Sequence, residues 1–450
     1  MKWYVQWLYP GLKIKRWLFL FSIGLMTLVF GATMLMNYQI FGILEEEIFM
    51  LAYQMTGNYS YTALVLFGIF LSIVGILMMM IGVRKLVKRF IALVVPDDQN
   101  RVSRQVLGRI ELAKGPHIVA LGGGHGMSYS SDLGEACLKN KTSNLTAIVT
   151  VADDGGSSGR LREEMDIIAP GDLRNCLVAM ADKESVLEQL FQYRFGGNGE
   201  LAGHSLGNLF LAALIKEFGN PENALEAASK VLKIRGKVIP STTEEVRLVG
   251  KMSDGSVVEG ESEIAAYPAD IVSLSAIPEN PIAVGDALEA IKQADMIILG
   301  PGSLYTSIMP NLLVPELLQA IRESSAPCVY ICNVMTQPGE TTGYTVGDHL
   351  EALKKVTGDG VIGYVLANKQ PVSEKIQEQY ARAGSYPVKI DEGKVEKLGA
   401  FLITADLLGV EAGAVHDQNV LAGKLMAIQN LLHASISSDS LKAYLKGIRE

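Results

Sequence analysis

Glycine-rich and polar segments follow several apolar runs of this sequence, and they are where its chemistry is expected. Gly122–Gly126 (Gly-Gly-Gly-His-Gly) follows His117–Leu121, and Asp153–Arg160 follows Leu145–Val151. Glycine has no Cβ atom, so such a turn can bring backbone N–H groups against a phosphate. The first turn departs from the dinucleotide pattern G-x-G-x-x-G, which requires glycine at the position of Met127. On its own it is weak evidence for a nucleotide.

Two further segments of this kind follow apolar runs later in the chain. Gly300–Ser303 comes directly after Met296–Leu299, and Asn333 ends the run Cys328–Asn333. The carboxyl ends of parallel strands lie at one edge of a sheet, so all four segments are expected to meet there. We therefore predict a phosphorylated ligand that spans them; the alternative is that they are structural turns only.

The acidic pair after the second run and the residues that follow it offer complementary chemistry. Asp153 and Asp154 could accept hydrogen bonds from ribose hydroxyls, hold Mg²⁺ against a diphosphate, or shape the next turn. Gly155–Gly159 supplies backbone N–H and serine hydroxyl donors, and Arg160 can neutralise a phosphate.

A later helix begins at Pro170 and carries two polar residues in its first turns. Asp172 is either an N-cap or a carboxylate of the ligand site. Asn175 could reach a base or sugar edge.

Gly203–Gly207 (Gly-His-Ser-Leu-Gly) matches the serine hydrolase elbow, which requires a buried strand directly before it. The glycine-rich stretch 196–202 cannot form that strand, so a hydrolase is disfavoured. Three residues are instead expected to line the ligand site or to cap the helix: His204, Ser205 and Asn208.

These segments require an α/β scaffold to position them. Short runs rich in β-branched residues predict strands buried on both faces of a parallel sheet: His117–Leu121, Leu145–Val151, Ile271–Leu274, Met296–Leu299, Cys328–Asn333 and Val361–Leu366. Helical patterns separate many of them: Leu177–Phe195, His204–Phe218, Asn223–Leu232, Gly285–Lys292 and Pro315–Glu323. The fold class is α/β: a Rossmann-like, doubly wound, mostly parallel sheet with a helical insertion at about 160–235 and a hairpin around Asp254-Gly255.

Two uncharged stretches precede this domain, Trp17–Met36 and Tyr61–Val83. Each spans roughly 30 Å as a helix, about the thickness of the hydrocarbon core of a bilayer. Basic residues flank the pair on its outer sides, whereas the intervening loop carries Glu45–Glu47 and no lysine or arginine. The prediction is a two-span protein of the cell membrane with both termini cytoplasmic; two buried core helices are the alternative.

Length and composition limit the remaining possibilities. The 450 residues exceed one compact core, and a net charge of −8 does not suggest a nucleic-acid surface. The four cysteines form no C-x-x-C pair, and no histidine pair has a third ligand at metal-binding spacing, so neither disulfides nor a metal site is expected. The predicted domains are a transmembrane hairpin anchor (1–95), a linker (96–115), the Rossmann-like domain (116–435) and a C-terminal tail (436–450).

The longest motifs of the chain together resemble the YvcK/CofD family, in particular its YvcK-like gluconeogenesis-factor branch. They extend over about residues 116–432 and are Val149–Arg162, Pro170–Val178, Phe191–Phe195, Leu201–Asn208, Ile298–Ser307 and Asn333–Thr341. One position departs from the family pattern: its first turn has threonine where this chain has His125, and a hydroxyl beside a phosphate is lost.

The resemblance implies a domain that binds UDP-sugars such as UDP-N-acetylglucosamine, with a role in cell-wall homeostasis and cell shape on gluconeogenic carbon. The CofD branch implies the alternative, a transferase that uses Mg²⁺ to move 2-phospho-L-lactate to a deazaflavin. We expect a membrane-anchored regulator rather than an enzyme, with no nucleic-acid partner; homo-oligomerisation and the identity of a regulatory protein partner stay open. The residues expected to contact the nucleotide sugar are Gly122, Gly123, Gly124, His125, Gly126, Asp153, Asp154, Gly155, Gly156, Ser157, Ser158, Arg160, Asp172, Asn175, His204, Ser205, Asn208, Gly300, Gly302, Ser303 and Asn333.

Overall fold

The computed structural model describes residues 15–35, 46–47, 50, 53–54, 61–94, 112–124, 138, 141–181, 185–409 and 413–433. The predictions for His125 and Gly126, for most of the linker and for the C-terminal tail lie outside these residues. The chain divides into two compact units, Met1–Arg109 and Ile110–Glu450. Each unit is described by itself.

The first unit contains two long apolar helices, α1 (Lys15–Leu35) and α2 (Tyr61–Val94). Segments Arg16–Leu35 and Val65–Lys88 are long and apolar enough to cross a membrane, as judged by length and composition. Glycines lie where the two helices meet. A Cβ atom on Gly24 would lie 2.8 Å from the carbonyl oxygen of Gly75, and one on Gly31 would lie 2.7 Å from that of Gly68. The two backbones therefore pack directly against each other, as small residues permit in membrane helices.

The second unit is built on two sheets. Its strands, in chain order, are β1 (Ile118–Gly122), β2 (Leu145–Val149), β3 (Lys237–Pro240), β4 (Arg247–Met252), β5 (Val257–Glu259), β6 (Ile271–Ile277), β7 (Met296–Leu299), β8 (Cys328–Ile331), β9 (Tyr364–Asn368) and β10 (Phe401–Ala405). The main sheet is parallel, with the order β10-β9-β8-β7-β1-β2-β3, and β4 pairs antiparallel with β5 and β6 in a smaller one. The strand order of the main sheet reverses between β1 and β7, which is where doubly wound sheets bind ligands.

Alternate residues of each central strand face two different cores. In β1, Ile118 and Ala120 join one buried cluster, whereas Val119 and Leu121 join the other. This double burial explains why the run contains no polar residue. The α-helices described in this unit are α3 (Gly156–Met165), α4 (Pro170–Met180), α5 (Ser185–Gln192), α6 (Leu206–Phe218), α7 (Pro221–Leu232), α8 (Glu261–Ala266), α9 (Gly285–Lys292), α10 (Met309–Leu312), α11 (Pro315–Glu323), α12 (Val346–Thr357), α13 (Glu374–Ala381), α14 (Glu392–Lys397) and α15 (Gln418–His433).

The predicted fold class is confirmed, and so is the helical insertion, because α3–α7 lie between β2 and β3. Two element predictions were wrong. The run Ile271–Leu274 does not enter the parallel sheet; it belongs to β6, whose Val272 is half exposed. The expected helix Leu177–Phe195 is two helices, α4 and α5, because the chain leaves the helix at Ala181, which pairs with Ile234 instead.

Candidate functional site

Four neighbouring strands, β2, β1, β7 and β8, end at the same edge of the main sheet, and each is followed by one of the predicted segments. Backbone hydrogen bonds continue past the strands: Thr150 N–H donates to the Gly122 carbonyl at 3.0 Å, and Gly300 N–H donates to the Leu121 carbonyl at 2.9 Å. The Asn311 side-chain amide also donates to the Gly122 carbonyl, at 3.1 Å. The turns after β1, β2 and β7 are therefore held side by side.

The turn after β1 lies against the first turn of α4. A Cβ atom on Gly123 would meet the Ser307 hydroxyl oxygen at 2.6 Å and Asp172 Oδ2 at 3.0 Å. One on Gly124 would lie 2.3 Å from backbone atoms of Asp172. The buried Asp172 carboxylate therefore faces the glycine turn. Its N-cap alternative was wrong, because Ala169 is the residue that precedes α4.

The carboxylate of Asp153 lies between the segment after β2 and the start of α4. Its Oδ1 accepts the Gly155 N–H at 2.9 Å, and a Cβ atom on Gly171 would lie 2.8 Å from its Oδ2. The same Cβ atom would lie 2.2 Å from the hydroxyl of the buried Ser158. Asp153 thus shapes the turn that follows it, which is one of the three roles predicted from the sequence. It also lies beside the first turn of α3.

Asp154 is turned toward a different element. Its two carboxylate oxygens accept the backbone N–H groups of Glu261 and Ser262, at 2.8 and 2.9 Å, and so cap the first turn of α8. A Cβ atom on Gly260 would lie 2.7 Å from Asp154 Oδ2. The side chain therefore connects the edge of the main sheet to the helix that follows the small-sheet strand β5, a structural task that sequence analysis missed.

A buried hydrogen-bonded group joins the starts of α3 and α6. The Ser157 hydroxyl lies 3.0 Å from His204 Nδ1 and accepts the Asn208 amide N–H at 3.0 Å. Burial, with the nearby charge of Arg160, lowers the pKa of His204, which favours the neutral imidazole. Ser205 is fully buried and accepts the Asn208 backbone N–H at 3.2 Å, so it caps α6 and is not displayed as a nucleophile.

The ends of β7 and β8 are fastened together by Asn333. Its side-chain N–H donates to the Gly302 carbonyl at 2.9 Å, and its Oδ1 accepts the Gly302 N–H at 3.4 Å. The Gln337 side-chain amide donates to the Ser303 hydroxyl at 2.7 Å. Gly300 has a φ of +81°, a conformation that L side chains rarely adopt. The third and fourth predicted segments are therefore one structural group.

Two of the predicted side chains bond to other protein groups, and one predicted glycine has open space around it. The side-chain oxygen Oδ1 of Asn175 accepts a hydrogen bond from the guanidinium of Arg174, its neighbour in α4. Arg160 donates to the Ala202 carbonyl at 2.7 Å. Gly156 has a φ of +47° and no atom near the place of a Cβ. Among the described residues, no group of three or more His, Cys, Asp and Glu side chains is arranged to hold a metal ion.

Two further carboxylates of this region were not recognised in the sequence. Burial and the neighbouring Asp153 and Asp154 raise the pKa of Glu261 to about 8, with Asp172 and Glu340 adding to the effect. Glu340 is itself buried; it accepts the Tyr305 N–H at 3.2 Å and the Thr306 hydroxyl at 3.0 Å, and burial raises its pKa. The carboxylates at this edge of the sheet therefore come from residues more than a hundred positions apart, which no local motif could indicate.

With this geometry established, comparison with known proteins places the chain among its relatives. Residues 118–408 match the family model described as 2-phospho-L-lactate transferase CofD. The chain belongs to the CofD family. The match begins at β1 and ends beyond β10, so it includes every strand end described above.

Several curated relatives are named as gluconeogenesis factors. The gluconeogenesis factor of Bacillus subtilis is 44% identical over 312 residues, which are 69% of this chain and 97% of that protein. A Nostoc sp. relative is 43% identical over 407 residues, 90% of this chain and 87% of its own length. That match is longer than the second unit, so it extends into the first. A crystal structure of a UPF0052-family protein of Bacillus halodurans covers 70% of this chain and 99% of its own, at 44% identity and a TM-score of 0.66.

Proposed function

We propose that the cleft at the ends of β2, β1, β7 and β8 binds a UDP-sugar, with UDP-N-acetylglucosamine as the first candidate. The observation that carries this proposal is the convergence of four polar strand ends at the point where the strand order reverses. Gly123 and Gly124 let the turn after β1 approach Ser307 and the first turn of α4 closely, and the first turn of α3 supplies Ser157 and Ser158. Asp153 is the carboxylate best placed for ribose hydroxyls.

The protein acts as a regulator in this proposal, in cell-wall homeostasis and cell shape during growth on gluconeogenic carbon. The named relatives support this role, because the Bacillus subtilis protein is a gluconeogenesis factor. The structure adds that both oxygens of Asp154 already accept backbone N–H groups. Asp154 is then a support of the cleft rather than a reacting group.

We further propose that α1 and α2 anchor the protein in the cell membrane with both termini in the cytoplasm. Their length and apolar composition support the two spans. The positions of the basic residues outside the pair and of Glu45–Glu47 between the helices support the orientation.

A second candidate function is a CofD-like phospholactate transferase, which the family match favours. Mg²⁺ sites commonly use one or two carboxylates together with substrate phosphates. Asp153 and Asp172 are the carboxylates that face the glycine turns and would hold such an ion, which would neutralise charge on the diphosphate. Both side chains offer carboxylate oxygens, which are the ligands that Mg²⁺ prefers.

One experiment separates the two functions. The full-length protein in detergent is titrated calorimetrically with UDP-N-acetylglucosamine, with Mg²⁺ or with EDTA, and the nucleotide is then recovered and analysed. The regulator predicts binding that is largely independent of Mg²⁺ and an intact nucleotide. Mg²⁺-dependent transfer of phospholactate to a deazaflavin would establish the transferase instead, and no binding of any UDP-sugar would refute the proposed ligand.

A further inference from the structure

Three arginines from different elements converge beside the cleft. They are Arg160 of α3, Arg174 of α4 and Arg194, which follows α5. Arg160 donates to the Ala202 carbonyl at 2.7 Å, and Arg194 donates to the Gly203 carbonyl at 3.0 Å. Two neighbouring carbonyls of one loop therefore hold two of the guanidinium groups.

The third arginine, Arg174, packs against the helix that follows the same loop. A Cβ atom on Gly207 would lie 2.7 Å from Arg174 Cδ, so the arginine stem packs against the first turn of α6. Next along that turn, Asn208 donates to the Ser157 hydroxyl at 3.0 Å. The arginines are therefore continuous with the first turn of α3, where the ligand phosphates are expected.

The described carboxylates near Arg174 compensate its positive charge only in part. Within the part of the chain that the structure describes, none of the three guanidinium groups forms an ion pair with a carboxylate. Arg174 is only 6% exposed, and its Nε has no hydrogen-bond partner among the described residues. Burial and the neighbouring Arg194 lower the pKa of Arg174 to about 10, and Asp172 and Asp153 offset this only in part.

A buried N–H donor without an acceptor, held in a cluster of like charges, is costly unless a ligand completes it. We propose that Arg174 and Arg194, assisted by Arg160, form an anion subsite that binds a phosphate group. The planar guanidinium suits this task, because it can give a phosphate two parallel hydrogen bonds. The inference rests on the proposed nucleotide-sugar cleft and names the residues that meet its charge.

The test uses the full-length protein in detergent and three substitutions. Arg194→Met removes an exposed charge together with its hydrogen bond to the Gly203 carbonyl, Arg194→Lys keeps the charge without the planar fork, and Arg174→Lys makes the same change at the buried position. Arg382→Met, at an exposed arginine after α13, is the matched control for the loss of one charge. Calorimetry measures the affinity for UDP-N-acetylglucosamine, and thermal unfolding with inorganic phosphate or pyrophosphate measures anion binding directly.

We expect Arg194→Met to weaken UDP-N-acetylglucosamine binding roughly tenfold or more, because a hydrogen bond to a charged group is lost. Arg194→Lys and Arg174→Lys should give intermediate losses, and Arg382→Met none. Unchanged affinity in folded Arg194→Met and Arg174→Lys would overturn the subsite while leaving the proposed function intact.

Failure of the wild type to bind the nucleotide sugar would instead refute the proposed function. The thermal-shift measurements with phosphate and pyrophosphate would then test the subsite by themselves. A thermal shift with pyrophosphate that is present in the wild type and absent in Arg194→Met would support it; no shift in the wild type would refute it. Competition between inorganic phosphate and the nucleotide sugar shows whether the bound phosphate group belongs to the nucleotide sugar or is a free ion. If inorganic phosphate displaces the nucleotide sugar, the subsite holds the ligand's own diphosphate; if both bind together, it holds a free phosphate.

Discussion

Gly124 has no room for a side chain, because a Cβ atom at this position would lie 2.3 Å from the Cα atom and the carbonyl oxygen of Asp172. The turn after β1 and the first turn of α4 are thus in direct backbone contact. In the sequence the glycine was explained by the approach of a phosphate. The structure adds a packing reason, and it links the position of the Asp172 carboxylate to this turn.

The first prediction is that Gly124→Ala destabilises the protein as well as weakening nucleotide-sugar binding. The added methyl group must displace backbone, and overpacking of this kind costs about 1–3 kcal/mol or more. Thermal unfolding and calorimetry on the same sample measure both effects. Gly363→Ala is the control, since that glycine has no atom near the place of a Cβ. A variant as stable as the wild type would show that the turn can move away from Asp172.

The second prediction concerns Asp154 as a cap. Asp154→Ala removes the acceptor for the first N–H groups of α8 and should cost about 1–2 kcal/mol, whereas Asp154→Asn keeps one acceptor and should cost less. Hydrogen exchange of the amides of residues 261 and 262 reports the loss locally. Glu263→Ala, at an exposed residue of the same helix, should change little. A large loss of ligand affinity with unchanged amide protection would mean that the carboxylate serves the ligand instead.

The third prediction is a pH dependence centred on Glu261. Its pKa in the folded protein is about 8, raised from an ordinary carboxyl value of 4.5, so the folded state holds a proton that the unfolded state has released. The contribution of Glu261 to the free energy of unfolding is fully present below pH 4.5 and is lost as the pH rises through 8. The loss is at most about 1.4 kcal/mol for each pH unit.

Glu261→Gln mimics the protonated side chain and should remove this loss. The thermal midpoints of the variant and the wild type should differ by a constant amount near pH 4 and diverge between pH 5 and 8, with the variant more stable at pH 9. Parallel pH profiles of the two proteins would show that Glu261 is ionised at neutral pH after all.

The fourth prediction concerns membrane orientation. In whole cells, a cysteine in place of Glu46 should react with an impermeant thiol reagent, because the acidic loop is expected outside the membrane. A cysteine in place of Asn100 should react only after the cells are opened. The reverse pattern would invert the topology, and labelling of both positions only after the cells are opened would contradict a membrane hairpin with an external loop.

Local sequence was sufficient where neighbouring residues decide the structure. Met296–Leu299, Gly285–Lys292 and Pro315–Glu323 have the predicted bounds, because each is a short pattern with clear limits. The strand β3 was missed, since it has only four residues, begins with a lysine and ends with a proline. Ile271–Leu274 was assigned to the wrong sheet because an apolar run does not reveal that one of its faces is exposed.

In the candidate site, too, the features set by neighbouring residues could be predicted and those set by distant residues could not. Its four strand-end segments could be predicted, because parallel strands bring their carboxyl ends to one edge. The partners of those segments could not. Glu261 meets Asp154, and Arg194 lies near Arg174, only after the intervening helices have folded. Contacts of this range leave no periodic or local pattern in a single sequence.

The glycines within the two long helices recur every seven residues, at 24 and 31 in α1 and at 68, 75 and 82 in α2. Each faces backbone of the other helix, so these close contacts hold the pair in its present register. A slip of one turn would drive larger side chains, such as Leu28, into positions that now admit only a hydrogen atom. The two helices therefore cannot slide freely along each other. A single-residue insertion within either helix would rotate every glycine beyond it away from the backbone of the other helix.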